Sequence, residues 1–579
     1  MKKLMLGNEA IARGFYEAGC KVVSSYPGTP STEITEYASQ YDEIYCEWAP
    51  NEKVAAEVAF GASLGGARSA CCMKHVGLNV AADPLFTMSY TGVGGGLVIC
   101  VADDPGMHSS QNEQDSRHYA MAAKLPMLEP SDSAEAKEFA KIAFSLSEEY
   151  DTPVIFRTCT RIAHSQCAVE LCEPKTVELR EYVKNPQKYI MAPANAIKKH
   201  PVVEARTEAL VAFSEKTELN RVELCEGSEL GIITSGTSYQ YVKEIFGDSV
   251  SVLKLGMVYP LPKSLILDFA KKVKRLVVIE ELDPFIENHC KALGLSVEGK
   301  SLFPICGEFS QGLIASALGL EKKTCTPSPD VIPNRPPVMC AGCPHRGLFY
   351  VLAKKKITVL GDIGCYTLGM APPLSAIDSV LCMGASVSGV HGFNKARGEA
   401  AEKKTVAVIG DSTFMHSGMT GLANIAYNGT NSTVIIVDNS ITGMTGHQHN
   451  PTTGYNIKGN PAAKIDLEAL CRALGFKRVR VVDPYDLKAT EAAITEEIAI
   501  DEPSVIISRR PCALLKYVKA RPALKVSNDK CRSCRACMKI GCPAISMKEG
   551  KAHIDATLCV GCDVCTQLCA FDAIGGSEK

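Results

Sequence analysis

Cys531, Cys534, Cys537 and Cys542 read C-x2-C-x2-C-x4-C-P, and Cys559, Cys562, Cys565 and Cys569 read C-x2-C-x2-C-x3-C. Three thiolates at two-residue intervals on a tight loop can hold three corners of an iron–sulfur cube. The fourth cysteine of each run then reaches across to the other cube. On that logic one 4Fe–4S cluster takes Cys531, Cys534, Cys537 and Cys569, and the other takes Cys542, Cys559, Cys562 and Cys565. Zinc sites and disulfides compete with this reading, but zinc favours C-x2-C pairs over triplets with a remote fourth ligand. A second chemistry lies upstream. Gly410-Asp411-Ser412 and Asp438-Asn439-Ser440 each end an apolar run, with 28 residues from Asp411 to Asn439. One carboxylate and one amide oxygen leave room for water and phosphate oxygens around Mg²⁺. Taken alone, Gly-Asp-Ser is a common turn.

The elements that must position these residues follow from periodicity. Thr405–Ile409 and Thr433–Val437 read as strands joined by a helix over roughly His416–Asn428. Consecutive parallel strands end on one side of their sheet, so Asp411 and Asn439 should converge where ligands bind in α/β folds. Upstream, Lys21–Tyr26 predicts a strand, Pro27–Pro30 a turn, and Ser31–Gln40 a helix capped by Ser31. Asn51 caps a further helix carrying Val54, Ala55, Val58, Ala59 and Ala62, with Glu52 in its first turn. Leu97–Val101 and Pro153–Arg157 are buried strands, and the alternation predicts an α/β fold with parallel sheets. A charge-rich stretch over 178–226 reads as a connection. The alternation then resumes with strands at Leu230–Thr234, Val250–Leu255 and Arg275–Glu280. Five prolines in Thr326–Pro337 mark a linker. The expected domains are 1–190, 191–330, 331–515 and 516–579.

Composition narrows the function. With 62 Lys+Arg against 64 Asp+Glu the formal net charge is −2, which disfavours nucleic acid as a partner. The longest apolar stretch, Gly92–Ala102, is too short to cross a membrane. Met1–Leu6 does not make a signal peptide, so a cytoplasmic location is expected. In that setting the 26 cysteines point to metal or redox chemistry rather than disulfides.

The tail resembles a bacterial two-cluster ferredoxin, departing from it in the x4 gap before Cys542 and in Ala570, where proline is usual. The acidic loop resembles the thiamine diphosphate motif, Gly-Asp-Gly followed some thirty residues later by Asn-Asn. Ser412 and Asp438 depart from it in a manner familiar in 2-oxoacid:ferredoxin oxidoreductases. Together with Cys340-Ala341-Gly342-Cys343-Pro344-His345-Arg346 and Asp362-Ile363-Gly364-Cys365, these pieces are similar to the large alpha subunits of that family. The likeness covers nearly the full length. It implies a pyrimidine-binding domain, a transketolase C-terminal-like domain, a diphosphate-binding domain and a two-cluster ferredoxin domain, in that order.

The resemblance also implies roles. Asp411, Asn439 and the backbone oxygen of Ile441 would hold Mg²⁺. Gly410, Ser412 and Gly384-Ala385-Ser386, with Gly361–Gly364, would line the thiamine diphosphate pocket. Glu52 would be the carboxylate that hydrogen-bonds the aminopyrimidine ring, with Glu47 and Glu57 as alternatives. A glutamate in a first turn more commonly only complements the helix dipole. Tyr26-Pro27-Gly28-Thr29-Pro30 resembles a substrate loop, which nominates Thr29, and Arg117 matches an arginine that pairs with a substrate carboxylate. A surface arginine is the alternative for Arg117. His447, two residues from His449 on an expected strand, is nominated for the pocket. Cys340 and Cys343 could be half a zinc site but lack a second pair nearby. The implied reaction is oxidative decarboxylation of arylpyruvates (indolepyruvate, phenylpyruvate) with coenzyme A to an aryl-acetyl-CoA and CO₂. Electrons would pass through the clusters to an external ferredoxin. A smaller beta subunit would complete the enzyme, as a dimer of alpha–beta pairs.

Overall fold

The computed structural model of the chain describes residues 1–320 and 331–576. It divides into two compact units, Met1–Ser328 and Pro329–Lys579. The expected linker falls partly outside the described residues at 326–330, while 331–337 carries no regular structure.

The first unit is built on a seven-stranded sheet. Its order is Met257–Tyr259, Met127–Leu128, Val154–Cys159, Leu97–Asp103, Ser69–Lys74, Val22–Ser25 and Tyr45–Trp48. All neighbours are parallel except the pair formed by Met257–Tyr259 and Met127–Leu128. Leu97–Asp103, Ser69–Lys74 and Val154–Cys159 are buried at every position, as strands covered by helices on both faces must be. A second sheet orders Arg275–Ile279, Leu230–Ser235, Ser251–Leu255 and an antiparallel edge, Arg221–Glu223. One apolar core runs from Ile99, Val101 and Ile155 to Ile233, Leu253 and Phe269. The strand Met257–Tyr259 belongs by sequence to the second block yet completes the first block's sheet. The two blocks therefore share a sheet and a core within one compact unit.

Two expectations need correction here. The stretch expected as a bare connection contains a 22-residue helix, Pro193–Ser214. Only Val203, Leu210 and Ser214 of it are buried, so no apolar stripe betrays it in the sequence. Ser31 precedes the helix Thr32–Ala38 but does not cap it with its side chain. Its hydroxyl instead donates to the Gly28 carbonyl at 2.8 Å.

The second unit holds an all-parallel sheet ordered Thr358–Leu360, Thr405–Gly410, Thr433–Asp438, Ser504–Arg509 and Arg478–Val482. The helix after Thr405–Gly410 begins at Asp411, not near His416, and passes through a π-type turn at Phe414–Gly418 before Met419–Asn428. Such turns concentrate at functional sites. The cysteine tail is two short ribbons, Lys525–Val526 with Ile574–Gly575 and Ile545–Lys548 with Lys551–Ile554. It shares one core with the sheet's helices, since Leu348, Val359 and Tyr366 belong to the same apolar cluster as Ile540, Ile545 and Ile574.

Candidate functional site

In the second unit, Gly410 stands opposite Val437 in parallel register, so Asp411 and Asn439 leave the same end of the sheet. Asp411 is 3% exposed. Its Oδ2 accepts from Thr452 Oγ1 at 3.0 Å and from Asn450 Nδ2 at 3.3 Å. Burial, and then the nearby Asp438 carboxylate, push the Asp411 carboxyl up to about 7. A buried carboxylate that accepts from the neutral side chains of Asn450 and Thr452 is a donor suited to a hard cation. Asn439 turns its amide oxygen to the Ile441 N–H at 3.3 Å and its amide nitrogen toward His345 Nε2 at 3.4 Å. Burial holds His345 down to about 4, so it is a neutral imidazole near neutral pH. Asn450, Thr452 and His345 were not expected here; the polar run Asn450-Pro451-Thr452-Thr453 was the signal for the first two.

Gly384 has φ +88° immediately before the helix Ala385–Arg397. A side chain there would come within 2.6 Å of the Ser417 Cβ. The amides of Gly384 and Ser386 donate to Asp362 at 3.0 and 2.9 Å. Asp362 therefore fixes this helix start, a role its Gly-rich surroundings did not suggest.

In the first unit, Asn51 caps the helix Glu52–Leu64 by accepting from the Val54 N–H at 2.9 Å. Glu52 is 5% exposed. A Cβ on Gly77 would lie 2.6 Å from the Glu52 Cγ and Oε1, so glycine makes room for this carboxylate. Glu47 accepts from Ser24 Oγ and Tyr45 OH at 2.8 and 2.9 Å, and Glu57 is exposed and ion-paired with Lys53. Of the three candidates only Glu52 is buried. Thr29 is half-buried, and its carbonyl accepts from Ser109 Oγ at 3.1 Å. Lys74 Nζ donates to the Ser109 carbonyl at 2.7 Å, so this lysine, which the sequence did not single out, supports the loop facing Thr29.

Two nominations change. Arg117 is 1% exposed and is already committed. It donates to Asp115 (Nη2–Oδ2 2.5 Å), Glu280 (Nη1–Oε2 2.5 Å) and the carbonyls of Glu281 and Asp283. A guanidinium enclosed by two carboxylates is a structural tie between the blocks, not a receiver for a substrate carboxylate. His447 lies in a turn with φ +69° rather than on a strand, half-buried, with Nε2 3.9 Å from Cys512 Sγ.

The tail cysteines sort into two groups. Cys542, Cys559, Cys562 and Cys565 line one cavity together with Cys343 and Arg346. Cys531, Cys534, Cys537 and Cys569 line another. Cys542 joins its group despite the extra residue before it. No three Cys, His, Asp or Glu of the tail bring their ligand atoms within 4.8 Å of one another among the described residues. Burial pushes Cys343 up to about 12 and Cys365 to about 11, with Cys340 near both.

Two family descriptions match. "Pyruvate flavodoxin/ferredoxin oxidoreductase, thiamine diP-bdg" matches residues 13–223, and "Thiamine pyrophosphate enzyme, C-terminal TPP binding domain" matches 362–508. An indolepyruvate oxidoreductase subunit IorA from Archaeoglobus fulgidus is 42% identical over 99% of this chain and 97% of its own. One from Methanothermobacter thermautotrophicus is 40% identical over 100% and 98%. A solved 2-oxoglutarate:ferredoxin oxidoreductase from Magnetococcus marinus aligns at TM-score 0.47 and 18% identity, over 55% of this chain and 65% of that one. The chain belongs to the thiamine-diphosphate-dependent 2-oxoacid:ferredoxin oxidoreductase family, enzymes of oxidative 2-oxoacid decarboxylation. Within that family it groups with the indolepyruvate oxidoreductase alpha subunits.

Proposed function

We infer that this chain is the catalytic alpha subunit of an enzyme that converts arylpyruvates and coenzyme A to aryl-acetyl-CoA and CO₂, delivering the electrons to ferredoxin. The end-to-end similarity to IorA subunits supports the arylpyruvate substrate. The single observation that carries the redox assignment is the sorting of eight tail cysteines, four and four, around two cavities. Each group would hold one 4Fe–4S cluster. Asp411, Asn439 and the Ile441 carbonyl would hold Mg²⁺, and through it the diphosphate. Gly410, Ser412 and the segment Gly384–Ser386 would line that end. When bound, thiamine diphosphate supplies an electron sink for the loss of CO₂, and the clusters accept electrons one at a time.

The chain's own residues bind, orient and move protons. Glu52 presents a buried carboxylate from a capped helix, able to hold a proton at the aminopyrimidine ring. Thr29 offers a hydroxyl on a loop braced by Ser109 and Lys74, and His447 a half-buried imidazole. The two α/β blocks of the first unit correspond to pyrimidine-binding and transketolase C-terminal-like domains. The sheet and tail of the second correspond to diphosphate-binding and ferredoxin domains. A smaller beta subunit, in a dimer of alpha–beta pairs, and an external ferredoxin would complete the system in the cytoplasm. Among the described residues no helix is long and apolar enough to cross a membrane.

The test is an anaerobic preparation with its partner subunit, analysed for thiamine diphosphate, magnesium and iron, and then offered a panel of 2-oxoacids with coenzyme A and ferredoxin. Preferential turnover of indolepyruvate or phenylpyruvate, with acyl-CoA and reduced ferredoxin formed together, is expected. Aldehyde formation without ferredoxin reduction would mark a non-oxidative decarboxylase instead.

A further inference from the structure

Arg346 is the second residue of the helix His345–Lys355 and is 5% exposed. Its Nη1 donates to the carbonyls of Ile540 and Gly541 at 3.1 and 2.5 Å, and its Nη2 to those of Met339 and Cys340 at 2.5 and 3.0 Å. Nε is also buried and has no hydrogen-bond partner among the described residues. What distinguishes Arg346 from the other buried arginines is its company. Arg117, Arg157, Lys137 and Lys254 are buried as deeply, and each has a carboxylate oxygen within 3.1 Å, from Asp115, Asp103, Glu17 and Glu135. Arg346 has none within ion-pairing reach among the described residues. A buried cation without an anion is costly, and carbonyl dipoles offset only part of that cost. The same residue lines the cavity shared by Cys542, Cys559, Cys562 and Cys565.

We propose that Arg346 is the fixed countercharge of the 4Fe–4S cluster held by Cys542, Cys559, Cys562 and Cys565, and that it raises that cluster's reduction potential. The inference rests on the cluster assignment made above. Four thiolates leave a ligated cluster with net negative charge, and one-electron reduction adds one more negative charge while making or breaking no bond. A cation held nearby in a poorly solvated site favours the more negative state, so the potential rises. In turnover the electron comes from the oxidised 2-oxoacid and leaves to the external acceptor; Arg346 changes only the ease of the intermediate stop. The other cavity has Arg532 and Arg535 at its edge, but both are exposed, where solvent screens their charge.

The experiment is a dithionite titration of the alpha–beta complex followed by EPR, comparing wild type, Arg346→Met and Arg346→Lys. The Cys565→Ser protein identifies which signal belongs to this centre. Arg346→Met should shift that centre's one-electron reduction equilibrium tenfold or more against reduction, about 59 mV, and leave the other centre unchanged. Arg346→Lys keeps the charge and should keep most of the potential. An unchanged potential in Arg346→Met, or an equal fall in Arg346→Lys, overturns the proposal, because a merely structural clamp would be lost in both. Should Arg346→Met not accumulate folded, Arg346→Gln retains amide donors for the carbonyls and carries the same expectation. Wild-type protein lacking two reducible 4Fe–4S signals would overturn the cluster assignment itself, and the inference with it.

Discussion

At Asp411 one side chain is asked to do two incompatible things. Buried and close to Asp438, it is driven toward its neutral form, yet a magnesium diphosphate would need it ionised. A bound cation would resolve the conflict by favouring the ionised form. Asp411→Ala should therefore abolish Mg²⁺-dependent thiamine diphosphate binding, measured as cofactor retained after gel filtration; full retention would remove Asp411 from the metal site. The role proposed for Glu52 makes the opposite demand, since its carboxylate would serve chemistry rather than retention. Glu52→Gln should keep the cofactor and lose roughly 10²–10⁴ in turnover. Thiazolium C2 proton exchange, followed by NMR, should slow in that variant, and wild-type exchange would pass the role to another carboxylate. Both residues could be proposed from the sequence because their signals are local: a spacing between two strand ends, and an acid one step after a capping asparagine. Arg117 was misread for the complementary reason. Its partners Glu280, Glu281 and Asp283 lie more than a hundred and sixty residues away in the chain, and no local pattern announces them.

Elements carry the next tier of consequences. The short helix Arg117–Ala123 is fastened to the loop after the strand Arg275–Ile279 by the buried Asp115–Arg117–Glu280 network. Arg117→Ala leaves buried Glu280 without its cation and Asp115 with only Arg157 at 3.8 Å, and should cost about 3–5 kcal/mol, read as a lower urea midpoint. A substrate-binding role would instead raise KM at unchanged stability. Next to this network, Glu281 accepts from the Phe309 N–H at 2.7 Å, and burial pushes its carboxyl up to about 7 from an ordinary value near 4.5. Folding thus retains a proton between those values. That share of stability is fully present below about 4.5 and is lost as pH rises through about 7. Glu281→Gln should flatten the pH dependence of the unfolding midpoint between pH 5 and 8, while an unchanged slope would assign it to other groups. The same scale shows where sequence reading stops. In the two large sheets, Val22–Ser25, Leu97–Asp103, Val154–Cys159, Thr405–Gly410 and Thr433–Asp438 announced themselves as apolar runs. The three residues of Met257–Tyr259 and the barely amphipathic helix Pro193–Ser214 did not, because each is held by partners far off in the chain.

For the whole molecule, the question is whether the thiamine end and the cysteine tail are joined by electrons. Cys565→Ser should damage the cluster proposed at Cys542, Cys559, Cys562 and Cys565 and leave the residues proposed to hold the cofactor untouched. Substrate should still lose CO₂, but acyl-CoA formation and ferredoxin reduction should fall together, with slow release of aldehyde. A single-turnover assay following CO₂, aldehyde and acyl-CoA separately distinguishes the cases; a normal acyl-CoA yield with ferredoxin as acceptor would take this cluster off the electron path. The sorting of the cysteines was readable in advance because C-x2-C-x2-C is a local device. The shared core that joins the tail to the sheet's helices was not, since Ile540 and Ile545 look from sequence like the interior of a free-standing ferredoxin.

The strand at the far edge of the large sheet has a consequence for how the protein is made. Met127–Leu128 leaves the ribosome well before Met257–Tyr259, the strand that covers its free edge. At synthesis rates of roughly 5–20 residues per second, the intervening stretch of about 130 residues takes on the order of 6–26 s. Throughout that interval the buried strand Met127–Leu128 lacks the strand that pairs with its outer side, at the moment when many identical chains emerge along a single message. Edges of that kind recruit one another. Slow translation across 129–256 would lengthen the exposure, so yield in a foreign host should depend on codon choice in this interval more than in the tail.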